Sequence, residues 1–137
     1  MEPQSTPNTQ IGACPDRLDT LSKQIIGCAL TVMRILGTGF FEKVYENALV
    51  HELRKAGLTV AQQHRMVVRY DHAVVGDYTV DLLVENIVLV ELKIARAIDD
   101  IHRAQCLNYL KSTGLRLCLL LNFGRLRLEI RRMVRNF

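Results

Sequence analysis

The alternation of apolar and polar positions divides the chain into helical and extended stretches. Asp19-Thr20 can cap a helix, and Leu21, Ile25, Cys28, Val32 and Ile35 then recur at helical spacing. Gly37-Thr38-Gly39 interrupts that pattern. A second helix is expected from about residue 41 to residue 56, with Leu49 and Leu53 as its apolar stripe and Gly57 just past its end. Residues 59–70 read as a strand, Asp71-His72-Ala73 as a turn, and residues 74–84 and 88–94 as two further strands. Residues 98–112 read as a helix ending at Gly114. The apolar run at 115–122 suits a strand buried on both faces, and Phe123-Gly124 turns the chain into a last strand at 126–133. The order α-α-β-β-β-α-β-β predicts an α/β fold of the α+β type, a mixed sheet with helices packed on it. One domain is expected over residues 16–137, after a polar, Pro-containing leader at 1–15 that is expected to be disordered.

The stretch from Asp81 to Lys93 breaks the apolar pattern. It sets Asp81, Glu91 and Lys93 among Val and Leu in a hairpin that should be largely buried, where charges need compensation. Side chains alternate between the faces of a strand, so Val80, Leu82 and Val84 share one face, as do Val88, Val90 and Leu92. Placing both apolar sets on the same side pairs Val84 with Val88, Leu82 with Val90 and Val80 with Leu92. The connection is then a three-residue loop, Glu85-Asn86-Ile87, and Asp81 falls opposite Glu91, with Thr79 opposite Lys93. Directly opposed Cβ atoms are about 4.5–5.5 Å apart, a distance at which two carboxylates repel unless a cation joins them or one is protonated. A salt-bridge cluster with Lys93 is one outcome. A hard-metal site is the other, because Mg²⁺ takes oxygen ligands from one or two carboxylates with water and phosphate.

Composition narrows the class. With 49% hydrophobic residues over 137 positions the chain can build a core without disulfides, and no apolar run reaches the length of a membrane span. The four cysteines form no CxxC pair; Cys28, Cys106 and Cys118 read as small core residues, and free thiols suit a cytoplasmic protein. A net charge of +4 permits a polyanionic partner. Six arginines, including Arg125, Arg127, Arg131 and Arg132, crowd the last 22 residues, where Glu129 is the only acid.

Other motifs are absent. The four histidines match no ligand spacing such as HExxH, and there is no GxSxG, Walker A or GxGxxG sequence. Glu42 and Tyr45 share a face at the start of the second helix. Ile98, Ile101, His102, Gln105 and Tyr109 are expected on one face of the later helix, where the polar members need partners.

Gly39-Phe40-Phe41-Glu42-Lys43-Val44-Tyr45 resembles the signature of the GxxExxY protein family. Asp81-Leu82-Leu83-Val84, Val90-Glu91-Leu92-Lys93, the block from Ala104 to Leu110 and Leu121-Asn122-Phe123-Gly124 resemble that family's later blocks, in order, over residues 21–132. The family is placed in the PD-(D/E)xK nuclease-like superfamily. The resemblance implies a restriction-endonuclease-like αβββαβ core, here with an extra N-terminal helix and C-terminal strand. It implies that Asp81 and Glu91 are the metal-binding acids, that Lys93 closes the ExK triplet, and that Glu42 and Gln105 complete the catalytic set. Val80 stands where the superfamily pattern has proline. The implied activity is Mg²⁺- or Mn²⁺-dependent phosphodiester hydrolysis. Asp81, Glu91, the Leu92 carbonyl and Glu42 would hold the metal. Tyr45, Tyr109, Arg125, Arg127, Arg131 and Arg132 would contact nucleic acid, DNA ahead of RNA. A homodimer is expected. The competing expectation is an inactive nucleic-acid-binding or protein-interaction module on the same fold.

Overall fold

The computed structural model describes residues 15–135. Its elements are α1 (Pro15–Leu36), α2 (Glu42–Lys55), β1 (Val60–Tyr70), β2 (Ala73–Val84), β3 (Val88–Lys93), α3 (Asp100–Thr113), β4 (Leu117–Asn122) and β5 (Glu129–Val134). The five strands form one sheet in the order β1-β2-β3-β4-β5. Neighbours are antiparallel except β3 and β4, which run parallel because α3 carries the chain back across the sheet.

The two strands in the parallel pair are buried almost throughout, which is why they read as near-continuous Val and Leu. On one face, Leu82, Val84, Val88, Val90, Leu92, Leu117, Leu119 and Leu121 pack against α1 and α2. On the other, Leu83, Leu89, Cys118 and Leu120 pack against Cys106, Tyr109 and Leu110 of α3. Among the described residues no helix is long and apolar enough to cross a membrane.

Several boundaries differ from the sequence expectation. Helix α1 starts at Pro15, so Asp19 and Thr20 lie within it and cap nothing; Asp19 pairs instead with Lys23 at 3.3 Å and Arg132 at 3.6 Å. Its buried stripe is Leu21, Ile25, Ala29, Val32 and Met33, which leaves Ile35 exposed and Cys28 only half-buried. In α3, Asp99 is the cap and accepts the His102 N–H, so Ile98 precedes the helix. Ile101 faces solvent, because the buried stripe is Cys106, Tyr109 and Leu110. The last strand begins at Glu129, and Leu126 stands out of the preceding turn. The expected leader lies outside the described residues except for Pro15.

Candidate active site at a splayed hairpin

The β2–β3 hairpin has the expected register over its first three rungs: Val84 pairs with Val88, Leu83 with Leu89 and Leu82 with Val90. The loop is Glu85-Asn86-Ile87, and Glu85 and Asn86 take the positive φ values that turn the chain tightly. The expected rungs beyond, Asp81 with Glu91 and Val80 with Leu92, do not form: the ladder ends at Leu82 and Val90. Side chains replace it. The Asp81 N–H donates to Glu91 Oε1 at 3.0 Å, and the Leu92 N–H donates to Asp81 Oδ2 at 2.8 Å. Each carboxylate therefore satisfies a backbone donor that the parting strands would leave unpaired.

A second irregularity meets the first from the other side. Strand β1 pairs Gln62 with Leu82 and His64 with Val80 but skips the rung between, where Gln63 adopts φ 50°. Both strands change faces there. Val80 packs with the α3 cluster whereas Leu82 packs against α1 and α2, so Val80 does not share a face with Leu82 and Val84 as strict alternation requires. Asp81 thus stands at a kink flanked by two interrupted ladders.

Glu91 is 5% exposed, and its Oε2 lies 3.8 Å from Lys93 Nζ and 3.4 Å from the Tyr109 hydroxyl. Burial and then the adjoining Asp81 charge push its carboxyl up to about 7. The same two influences, desolvation and then Asp81, raise the pKa of Glu42, with Lys93 opposing them. Glu42, from the first turn of α2, therefore feels both strands of the hairpin. Gln105 does not touch the acids. It donates to the Tyr109 hydroxyl at 2.7 Å and acts on Glu91 through that ring.

Two residues expected at a nucleic-acid surface lie in the core instead. Tyr45 is fully buried, stacked on Phe123 at 4.9 Å and donating to the Gly37 carbonyl, because its position on α2 faces the sheet. Tyr109 is 4% exposed and turned toward Glu91. Neither offers a ring face to a ligand. The arginines do lie at the surface, around the β4–β5 turn and on β5. Arg127 is exposed, Arg125 and Arg131 pair with Glu129 at 3.7 and 3.1 Å, and Arg132 pairs with Asp19. A groove of about 650 Å³ between α1 and this segment is lined by Met33, Arg34, Arg125 and Arg127, among others, and by none of the hairpin acids.

Sequence reasoning missed a supporting layer. Glu46, 1% exposed, accepts from Lys43, Gln62 and Gln63, and Gln63 reaches on to Asp81 Oδ1 at 3.3 Å. Its position one turn beyond Glu42 was the available signal. Asn122, fully buried beside Lys93, accepts from the N–H groups of Ala95 and Gly124 and donates to the Ala95 carbonyl and to Glu129. It fixes the exit of β3 just past the lysine. Gly124 is required there, since a Cβ would sit 2.6 Å from the Ala95 nitrogen.

Among the described residues no three acidic, thiol or imidazole groups form a ready-made metal cage. The donor set nonetheless fits a hard divalent ion. The adjoining Asp81 and Glu91 carboxylates repel each other, and a bound cation would offset that repulsion.

A family model described as the PD-(D/E)XK nuclease superfamily matches residues 19–133. The chain belongs to that superfamily. The narrower GxxExxY assignment is not established by this match. No curated protein matches the chain. Solved structures that share this superfamily member's fold include the following two. The crystal structure of SSO0001 superimposes with a TM-score of 0.52 at 15% identity, covering 88% of this chain and 61% of that one. This chain thus spans about three fifths of that protein. An alkaline exonuclease (LHK-Exo) from Laribacter hongkongensis gives a TM-score of 0.52 at 13% identity, covering 94% of this chain and 74% of that one. Identities this low speak for the fold alone.

Proposed function

We propose that the protein is a metal-dependent nuclease that hydrolyses phosphodiester bonds, with Asp81, Glu91 and Lys93 as its centre. The observation that carries this reading is the splayed hairpin. Two carboxylates meet where the ladder opens, one of them is held near neutrality, and a lysine lies beside them. Asp81, Glu91, the Leu92 carbonyl and Glu42 would hold Mg²⁺ or Mn²⁺. Such an ion lowers the pKa of a bound water and stabilises charge on a phosphate. Lys93 would orient the attacking water or neutralise the developing charge. Tyr109, backed by Gln105, holds the Glu91 carboxylate in place, and Gln63 does the same for Asp81. The surface arginines would track the phosphate backbone, giving affinity that falls with salt and carries little sequence information.

Within the superfamily, the Glu42 and Tyr45 motif supports the GxxExxY branch. The proposed substrate is nucleic acid, DNA ahead of RNA. A cytoplasmic location and a homodimer complete the proposal. The test is cleavage of single-stranded, duplex, branched and RNA substrates with Mg²⁺ or Mn²⁺. Wild-type protein should cut at least one of them, and Lys93→Ala should cut it about 10²–10³-fold more slowly. Cleavage at the wild-type rate by Lys93→Ala and Asp81→Asn would overturn the mechanism.

A further inference from the structure

Phe41 is 87% exposed, although it stands in the loop that leads into the site and immediately precedes Glu42. It occupies the N-cap position of α2, where a short polar side chain would serve the helix, and no side-chain cap bond is made there. The loop holds it outward. Gly37 and Gly39 take φ values of 67° and 108°, which side-chain-bearing residues rarely adopt. The Tyr45 hydroxyl accepts the Phe40 N–H at 3.3 Å and donates to the Gly37 carbonyl, pinning both ends of the loop. Phe40 packs edge-on to Tyr45, whose ring stacks on Phe123, and the Phe123 N–H donates to the Lys93 carbonyl at 2.9 Å. An unbroken set of contacts thus ties the loop of Phe41 to the lysine end of β3. Just past Phe123, a shallow concavity of about 520 Å³ is lined by Arg96, Gly124, Arg125, Leu126 and Arg127.

We propose that Phe41 is a stacking platform for an unpaired nucleobase beside the scissile phosphate, with the strand's phosphates running on over Arg96, Arg125 and Arg127. The inference rests on the nuclease reading of the site and deepens it by naming the substrate class: single-stranded nucleic acid, or an unpaired end. A base inside a duplex is stacked on both faces, whereas an unpaired one offers a face to an aromatic ring. The positive charge on the three guanidinium groups that line the concavity complements the phosphates of such a strand.

The test is equilibrium binding, with Ca²⁺ in place of Mg²⁺, of an oligothymidylate carrying one 2-aminopurine, compared with a fully paired duplex and with the matching oligouridylate. Wild-type protein should quench the 2-aminopurine. Phe41→Ala should bind the single strands roughly 5- to 150-fold more weakly, with the quench lost and duplex affinity unchanged. Phe41→Tyr should restore both signals and Phe41→Leu should not. The DNA and RNA arms identify the source of the strand. Equal binding by wild type and Phe41→Ala, or full rescue by Phe41→Leu, overturns the inference, as does a change in oligomeric state that accounts for the loss. Quenching by a protein that never cuts would overturn the hydrolase reading and leave the platform standing. Cleavage unaffected by Phe41→Ala would do the reverse. Because Phe41 is exposed, an unchanged melting temperature in each variant confirms that the fold is intact.

Discussion

In the metal-free protein, stability should fall as pH rises from about 4.5 to 7, and the Glu91 carboxyl should be responsible. In the unfolded chain this group loses its proton near 4.5, whereas in the folded protein it holds the proton to about 7. Between those values the native state binds the extra proton, so raising the pH favours unfolding. The shift corresponds to about 3 kcal/mol between the two protonation states, an upper bound on the loss. Glu42 is shifted in the same direction, so the difference between wild type and Glu91→Gln isolates the Glu91 share. Asp77, held down by its hydrogen bond from Arg65, and Glu85, held down by the Thr59 N–H, act below this window. Their stabilisation is present above their unfolded values and is lost as the pH falls. Urea unfolding in EDTA at intervals from pH 4.5 to 8 measures the slope. Mg²⁺ at ten times its dissociation constant should then return about 1.4 kcal/mol at pH 8 to wild type, and nothing to the variant. A wild-type curve that is flat across the window, or a slope as steep in Glu91→Gln as in wild type, would refute the argument that the Glu91 and Asp81 carboxylates oppose each other at the hairpin.

Three further outcomes are expected. Lys93→Ala should lower kcat by about 10²–10³-fold in a cleavage assay while the urea midpoint barely moves, since its ion pair with Glu91 is long. Tyr109→Phe removes the hydroxyl between Gln105 and Glu91 and should weaken metal binding about tenfold in isothermal titration. Gly124→Ala forces a Cβ to 2.6 Å from the Ala95 nitrogen and should cost about 1–3 kcal/mol in thermal unfolding.

The element order and the hairpin register were legible because apolar periodicity and two-sided burial leave strong local patterns. Once Leu82 must meet Val90, alternation along the two strands leaves no other register near the turn, and the run from Leu117 to Leu121 has no polar face to offer. What escaped is what periodicity cannot encode. The kink at Asp81 depends on Gln63, a residue 18 positions away whose positive φ leaves no mark on composition. Tyr45 and Tyr109 were both expected to contact nucleic acid, but helix phase turns both inward. The start of α1 was misplaced because Asp19 is a plausible cap whose real partners, Lys23 and Arg132, include one more than a hundred positions distant. Asn122 passed as the end of a strand, although it organises the turn that follows the lysine.

The carboxylates of Asp81 and Glu91 each close a backbone hydrogen bond where the strands part. Folding alone is thus a reason to keep them. A member of the superfamily that did not cut would still need both acids to seal its central sheet, and their persistence through a lineage would be a record of folding as much as of chemistry. Glu42 and Lys93 carry no such structural duty toward the hairpin backbone. Among relatives of this protein, they are the positions whose loss would first betray an abandoned activity.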